Sequence, residues 1–399
     1  MLRYFLIYYF VAMLVVSEKA VADPVSEIRA LLGNGGLYAE TSAGNVVLNI
    51  RGREQFIPAS VLKVLTSFCA IKFLGLDYRF RTEFYQDSMG NLSIKGYGDP
   101  SLTSEEIKFI VEQLSSRLRE VKNIIVDTSS FAPKIKLDGS ANSLNPYDAP
   151  NAPLVANFNT ALVKRFKAGG VISAEPQTPL TEISRNAGRN VSSSPQRINL
   201  GGDEVLSAKY FAELLQTFLA ARGINSSGKI ELGAPGEGAR LIYVHNSKPL
   251  SEILKGMLEY STNFTTNQVF LSLGAQLAGY PATPQKAREA ISQCLTKFNL
   301  QGPVVEEGSG LSRKNKISPQ QLVAVLKQFS TYQNLLKFDA GKFRAKTGTL
   351  TGVTSYAGYF QSTLGQEIRF AVIINDTLPA ERRLQIAEIL YRYASTKAK

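Results

Sequence analysis

Three short segments set the strongest condition on how this chain folds: Ser60-Val61-Leu62-Lys63, Ser261-Thr262-Asn263 and Lys346-Thr347-Gly348. If they act together, a helix start, a connection between helices and a strand must converge from three distant parts of the polypeptide. The chain has a single histidine, His245, so a serine–histidine–aspartate relay has almost no raw material. A group other than imidazole must then take the proton of an attacking serine.

With 399 residues, 44% apolar content and 31 glycines, the chain is long enough for two or more cores. Its beginning reads as a secretory signal over residues 1–22: Arg3, an apolar run from Tyr4 to Val16, and small residues at Ala20-Val21-Ala22 before Asp23-Pro24. The run is shorter than the roughly 20 residues a bilayer-spanning helix needs, and no later segment qualifies, so no stable membrane span is expected after cleavage. Export to the periplasm or elsewhere in a bacterial cell envelope follows. The net charge of +12 suits an anionic envelope or wall surface. Without a dense Lys/Arg block, nucleic acid is not the expected partner. Cys69 and Cys294 permit one disulfide in an exported chain, and two buried free thiols are equally compatible with the pattern.

Pattern along the chain suggests a division. Residues 23–77 hold a short helix, two strands at Gly36–Glu40 and Val46–Ile50, and a buried helix that opens at Pro58-Ala59-Ser60 and ends near Gly75. Residues 78–202 change texture: strand-like stretches, one amphipathic helix with a capping box at Thr103 and Glu106, and a long run rich in Asn, Pro, Ser and Gly. This is the pattern of an inserted, largely β domain. Residues 203–399 return to helices at Ser207–Ala221, Pro249–Tyr260, Val269–Leu277 and Pro319–Phe329. A three-stranded antiparallel meander, Phe343–Leu350, Ser355–Gln361 and Glu367–Ile374, and a final helix complete an α+β arrangement.

Each motif is weak alone, since Ser-x-x-Lys recurs at Ser226–Lys229 in a polar turn. Ser60 and Lys63 differ in sitting three apart on one helix face, where their side chains can meet. Lys63 is the candidate base for a Ser60 nucleophile, provided burial, the helix N-terminus and a second cation such as Lys346 depress its pKa. Ser261 can relay a proton to a leaving amine, and Asn263 can donate its amide to a substrate carbonyl. Lys346 offers a fixed charge for a substrate carboxylate, the Thr347 hydroxyl a second donor, and Gly348 room for a substrate backbone. The N–H groups of Ser60 and Thr349 are candidates for an oxyanion hole. Taken singly these are a helix cap, a polar turn and an edge lysine; their joint placement favours catalysis. The pattern asks for no cofactor and no metal.

At these motifs the chain resembles the penicillin-recognising serine enzymes, specifically the low-molecular-mass class C penicillin-binding proteins of the D-alanyl-D-alanine carboxypeptidase/endopeptidase family. Gly98-Asp99-Pro100, Asp127-Thr128-Ser129-Ser130-Phe131, Asn151-Ala152-Pro153 and Gly308-Ser309-Gly310-Leu311-Ser312-Arg313 extend the likeness over nearly all of the mature chain. The resemblance implies a β-lactamase/transpeptidase-like domain, an antiparallel sheet flanked by helices, interrupted by the insertion between the first and second motifs. It also implies peptidoglycan stem peptides as substrate and β-lactam antibiotics as acylating inhibitors. Thr262 stands where the family commonly has aspartate or asparagine, and the insertion is shorter than in many relatives, so a second nested domain is reduced or missing. A β-lactamase and a catalytically silent wall-binding protein are the alternatives on the same fold.

Overall fold

The computed structural model describes residues 23–396 apart from 142, 167, 168, 227 and 378, so the expected signal segment lies outside the described residues. The first described helix is α1 (Pro24–Leu32), whose N-cap Asp23 accepts a hydrogen bond from Ser26 N–H while Pro24 supplies the pre-set φ of a first helical residue. Next come the hairpin β1 (Gly35–Thr41) and β2 (Val46–Ile50) and a 3₁₀ turn (Ala59–Leu62) that runs directly into α2 (Lys63–Leu74). Helix α2 is buried continuously from Lys63 to Ile71, with Val64, Leu65, Phe68 and Ala70 fully buried, as befits a helix at the centre of a core.

A second body of structure follows. It comprises β3 (Arg81–Gln86), β4 (Leu92–Gly96), α3 (Ser104–Ser115), β5 (Ile124–Asp127), β6 (Thr160–Arg165), β7 (Val171–Ser173), α4 (Glu182–Ala187), β8 (Gln196–Asn199), α5 (Glu204–Ala220), β9 (Ile230–Leu232) and β10 (Arg240–Asn246). The strands form a five-stranded sheet, β10-β3-β4-β5-β9, and a three-stranded antiparallel sheet, β7-β6-β8. This second body carries helices as well as strands. Strands β4, β5 and β9 run parallel, and their connections carry α3 and α5, which pack on each other over the sheet. The shared core extends past 202 through Tyr210, Phe211, Leu215 and Leu219, and β10 returns to cover the open edge of β3.

The remaining elements are α6 (Leu250–Tyr260), α7 (Asn263–Ala278), α8 (Pro284–Lys297), α9 (Pro319–Phe329), β11 (Phe338–Asp339), β12 (Phe343–Leu350), β13 (Val353–Gln361), β14 (Glu367–Ile374) and α10 (Arg382–Thr396). The expected meander is present as β12, β13 and β14, and β14 also pairs with β1, from Gly35 opposite Ile374 to Thr41 opposite Ile368. The result is a six-stranded sheet, β11-β12-β13-β14-β1-β2, antiparallel in every pair and flanked by helices: an α+β domain. Alternation along the strands sends Ala357, Tyr359, Ala371 and Ile373 toward α2, α6, α7, α8 and α9, and Phe343, Tyr356, Phe370 and Val372 toward α1 and α10.

Cys69 on α2 and Cys294 on α8 are joined by a disulfide, which settles the question the sequence left open against two free thiols. Among the described residues, no helix is long and apolar enough to cross a membrane.

Candidate active site

Ser60 stands in the 3₁₀ turn and Lys63 is the first residue of α2, so the nucleophile candidate lies one turn before the α-helix instead of at its first position. Residues three apart eclipse in a 3₁₀ turn, and this brings the two side chains together: Lys63 Nζ lies 2.8 Å from Ser60 Oγ. Lys63 is fully buried. Its Nζ also donates to Asn263 Oδ1 at 2.8 Å and to the Ser309 carbonyl at 2.7 Å.

The turn is held from several sides. Ala59 has φ +52°, a left-handed conformation that a residue with a Cβ seldom adopts. Gly310, at φ +85°, packs on it so closely that a Cβ there would lie 2.0 Å from the Ala59 carbonyl oxygen. Ser355 on β13 donates to the Pro58 carbonyl at 2.6 Å. Gly348 is equally constrained: a Cβ there would lie 2.3 Å from Ser355 Oγ and 2.8 Å from Ser60 N. The glycine of the third motif thus lets β12 lie directly against the Ser60 turn.

Ser261 caps the C-terminus of α6 in the left-handed region, at φ 58° and ψ 36°. That reversal ends one helix, and Thr262 then caps α7, which begins at Asn263. Asn263 is therefore a helix N-terminal residue, not part of a free connection. Its Oδ1 faces Lys63, which leaves its amide N–H₂ for a ligand. Asn263 and Leu311 also line a cleft of about 560 Å³ between the second body and the helices, with Asp138, Tyr147 and Asn151 on its other wall.

Lys346 is buried on β12, its Nζ donating to the Thr347 carbonyl at 2.8 Å. Ala345 donates its N–H outward to the Lys337 carbonyl, and strand alternation gives the same outward direction to the N–H groups of Thr347 and Thr349. Strand β11 pairs only with Phe343 and Arg344, so this edge of β12 is open beyond Ala345. The Thr347 side chain, paired across the sheet with Tyr356, lies on the face opposite Lys346 and Gly348, toward α10. It lines a separate hollow of about 180 Å³ with Tyr356 and Arg383. The structure therefore does not place the Thr347 hydroxyl beside the Lys346 ammonium as the sequence pattern suggested.

The electrostatics follow from burial. Removal from water, then the charge of Lys346, push Lys63 down to about 7, while Glu307 opposes the shift. Burial, then Arg383, push Lys346 down to about 8.

Three contributors escaped the sequence reading. The Ser309 carbonyl touches Lys63 directly. Arg383 on α10 donates to the Gly348 carbonyl at 2.8 Å and to Thr349 Oγ1 at 2.7 Å, bracing the third motif from behind. Glu307, fully buried, organises the loop that carries Ser309. The glycine-rich stretch Gly308–Arg313 stood out as a family mark, but a backbone acceptor has no side-chain signal. Two other such marks prove to be docking points. Gln268 on α7 donates to the carbonyls of Gly98, at 3.1 Å, and Ala152, at 3.0 Å, fastening the second body beside the site.

Comparison with known proteins places this geometry. A sequence profile of the D-Ala-D-Ala carboxypeptidase 3 (S13) family matches residues 18–205 and 192–393. A D-alanyl-D-alanine carboxypeptidase from an Actinomadura species is 25% identical over 461 residues, spanning 94% of this chain and 85% of its own length. The D-alanyl-D-alanine carboxypeptidase DacB of Haemophilus influenzae is 24% identical over 408 residues, spanning 86% of this chain and 85% of its own. The crystal structure of penicillin binding protein 4 from Haemophilus influenzae shares the fold, with a TM-score of 0.76 at 20% identity over 92% of this chain and 99% of that one. The same protein complexed with a β-lactam gives a TM-score of 0.72 at 22% identity over 93% and 99%.

Proposed function

Because the chain belongs to the D-Ala-D-Ala carboxypeptidase 3 (S13) family, we propose that it is an exported serine DD-peptidase acting through an acyl-enzyme at Ser60. Its substrates are the terminal D-Ala-D-Ala bonds, and D-amino-acid cross-links, of peptidoglycan stem peptides. The observation that carries this reading is the contact set of Lys63. Asn263 Oδ1 and the Ser309 carbonyl can only accept hydrogen bonds. A neutral Lys63 amine therefore directs its two N–H groups to them and its lone pair to the third neighbour, the Ser60 hydroxyl. A depressed pKa makes that neutral form available near pH 7.

The reaction then runs in two halves. Lys63 takes the Ser60 proton as Oγ bonds to the carbonyl carbon of the penultimate D-alanine. The oxyanion is received by the N–H groups of Ser60 and Thr349, the latter on the open edge of β12. Lys346 binds the terminal carboxylate, and the Asn263 amide holds a substrate carbonyl. As the C–N bond breaks, Ser261 passes a proton to the departing amine, leaving a Ser60 ester. Water attacks the ester, the acid is released, and the proton returns to Ser60. A β-lactam ring opens through the same first half and remains on Ser60. The disulfide between Cys69 and Cys294 agrees with an oxidising compartment outside the cytoplasm.

Labelling with a fluorescent penicillin tests the assignment. The parent protein is expected to bind it covalently and Ser60→Ala to give none; equal labelling of the two would overturn the reading. Mass spectrometry of peptidoglycan fragments after incubation reports which bond is cut.

A further inference from the structure

Glu307 is fully buried, and among the described residues no cation forms an ion pair with it. Its two oxygens take six hydrogen bonds, all from neutral donors. Oε1 accepts from Gly310 N at 2.7 Å, Ser312 N at 3.2 Å and Asn315 Nδ2 at 2.8 Å. Oε2 accepts from Ser309 N at 2.8 Å, Ser309 Oγ at 2.6 Å and Asn267 Nδ2 at 2.9 Å. Three of these donors are successive or near-successive backbone N–H groups, so the carboxylate gathers the chain around itself and turns the intervening carbonyls outward. One of those carbonyls, Ser309, meets Lys63, and another, Gly308, accepts from Thr66 Oγ1 at 2.7 Å on the next turn of α2. The same loop carries Gly310 onto Ala59.

We propose that Glu307 is a positioning residue for Lys63: its carboxylate folds residues 308–312 so that the Ser309 carbonyl orients the amine toward Ser60, and its buried negative charge sets the pH at which that amine becomes neutral. An amide could not replace it, because one oxygen would become a donor facing three donors. The charge matters separately from the shape. Burial does most to take the proton off Lys63, and of the two charges near it Lys346 works in the same direction while Glu307 favours the protonated form. The groups that face Lys63 are Ser60 of the 3₁₀ turn, Asn263 of α7, Lys346 of β12, and Ser309 and Glu307 of the loop. This inference rests on the reading of Lys63 as base.

The test is the second-order rate of acylation by a fluorescent penicillin as a function of pH, for the parent, Glu307→Gln, Glu307→Asp and Ser60→Ala. Removing the charge should let Lys63 lose its proton more readily. Glu307→Gln is therefore expected to move the acid limb of the profile to lower pH by at least half a unit and to lower the plateau about tenfold or more. Glu307→Asp keeps the charge but shortens the reach, so its acid limb should stay while its plateau falls severalfold. Plateaus that fall equally in both variants with neither limb moving would mean a merely structural carboxylate and would overturn the proposal. So would a Glu307→Asp protein with the parent's plateau, a measurement that decides the matter even if Glu307→Gln does not fold. Labelling of Ser60→Ala would instead overturn the underlying assignment of the nucleophile, leaving the two failures distinguishable.

Discussion

Lys63 Nζ and Asn263 Oδ1 lie 2.8 Å apart although 200 positions separate them in the chain. The contact ties the first helical residue of α2 to the first of α7, and so joins the first sequence motif to the second.

Asn263→Asp tests that tie. A carboxylate at this distance favours the charged form of Lys63, so the acid limb of penicillin acylation should move to higher pH. Asn263→Ala instead removes an acceptor and a substrate donor, and a loss of about 10²–10³ in acylation rate is expected, the scale of losing one preorganised hydrogen-bonding group.

The wild-type pH profile should itself be bell-shaped. Lys63 must be neutral to accept the Ser60 proton, so activity rises as pH passes about 7. Lys346 must be charged to bind a carboxylate, so activity on free-acid peptides falls as pH passes about 8. Steady-state hydrolysis of a peptide ending in D-Ala-D-Ala, from pH 5 to 10, checks both limbs.

Arg383→Ala removes a cation that depresses Lys346. The alkaline limb alone should shift to higher pH, with the acid limb in place. A shift of both limbs together would point to a general disturbance of β12.

Gly310→Ala introduces a Cβ 2.0 Å from the Ala59 carbonyl oxygen at a backbone angle that disfavours alanine. The Ser60 turn must move. We expect a folded protein whose acylation falls a hundredfold or more, measured by labelling against a circular-dichroism control.

The disulfide spans 225 positions, so breaking it releases a large loop in the unfolded chain. Cys294→Ala should lose about 2–4 kcal/mol of stability, the usual range for such a bond. Denaturant titration of parent and variant reads it.

Much of this arrangement is visible in the residues alone. Apolar spacing along 250–260 and 319–329 gives helices because each buries one stripe, and Phe343–Ile374 alternates as a meander must. The convergence of Ser60, Lys63, Asn263 and Lys346 is likewise foreseeable from motif type. What escapes is whatever depends on a distant partner. Nothing local says that β10 closes the edge of β3, that α5 serves the second core, or that β1 adds to β14. Helix α8 is hidden because its buried face is small, built on Ala287, Ala290, Ile291 and Cys294 amid charged neighbours. Glu307 reads as one more acidic residue before a glycine; its role is defined by donors from three stretches of chain. The face taken by the Thr347 hydroxyl is likewise not given by motif proximity, because neighbours in a strand point to opposite faces.

The pairing of Gly35 with Ile374 has a consequence for how the sheet closes. The sheet behind Ser60 is complete only when β14 has paired with both β13 and β1, a closure that joins positions far apart in the chain. Without β14, β13 and β1 have no strand between them, and the Ser60 turn lacks the completed sheet behind it. Shape at the Ser60 turn is therefore tied to residues more than 300 positions further along the chain.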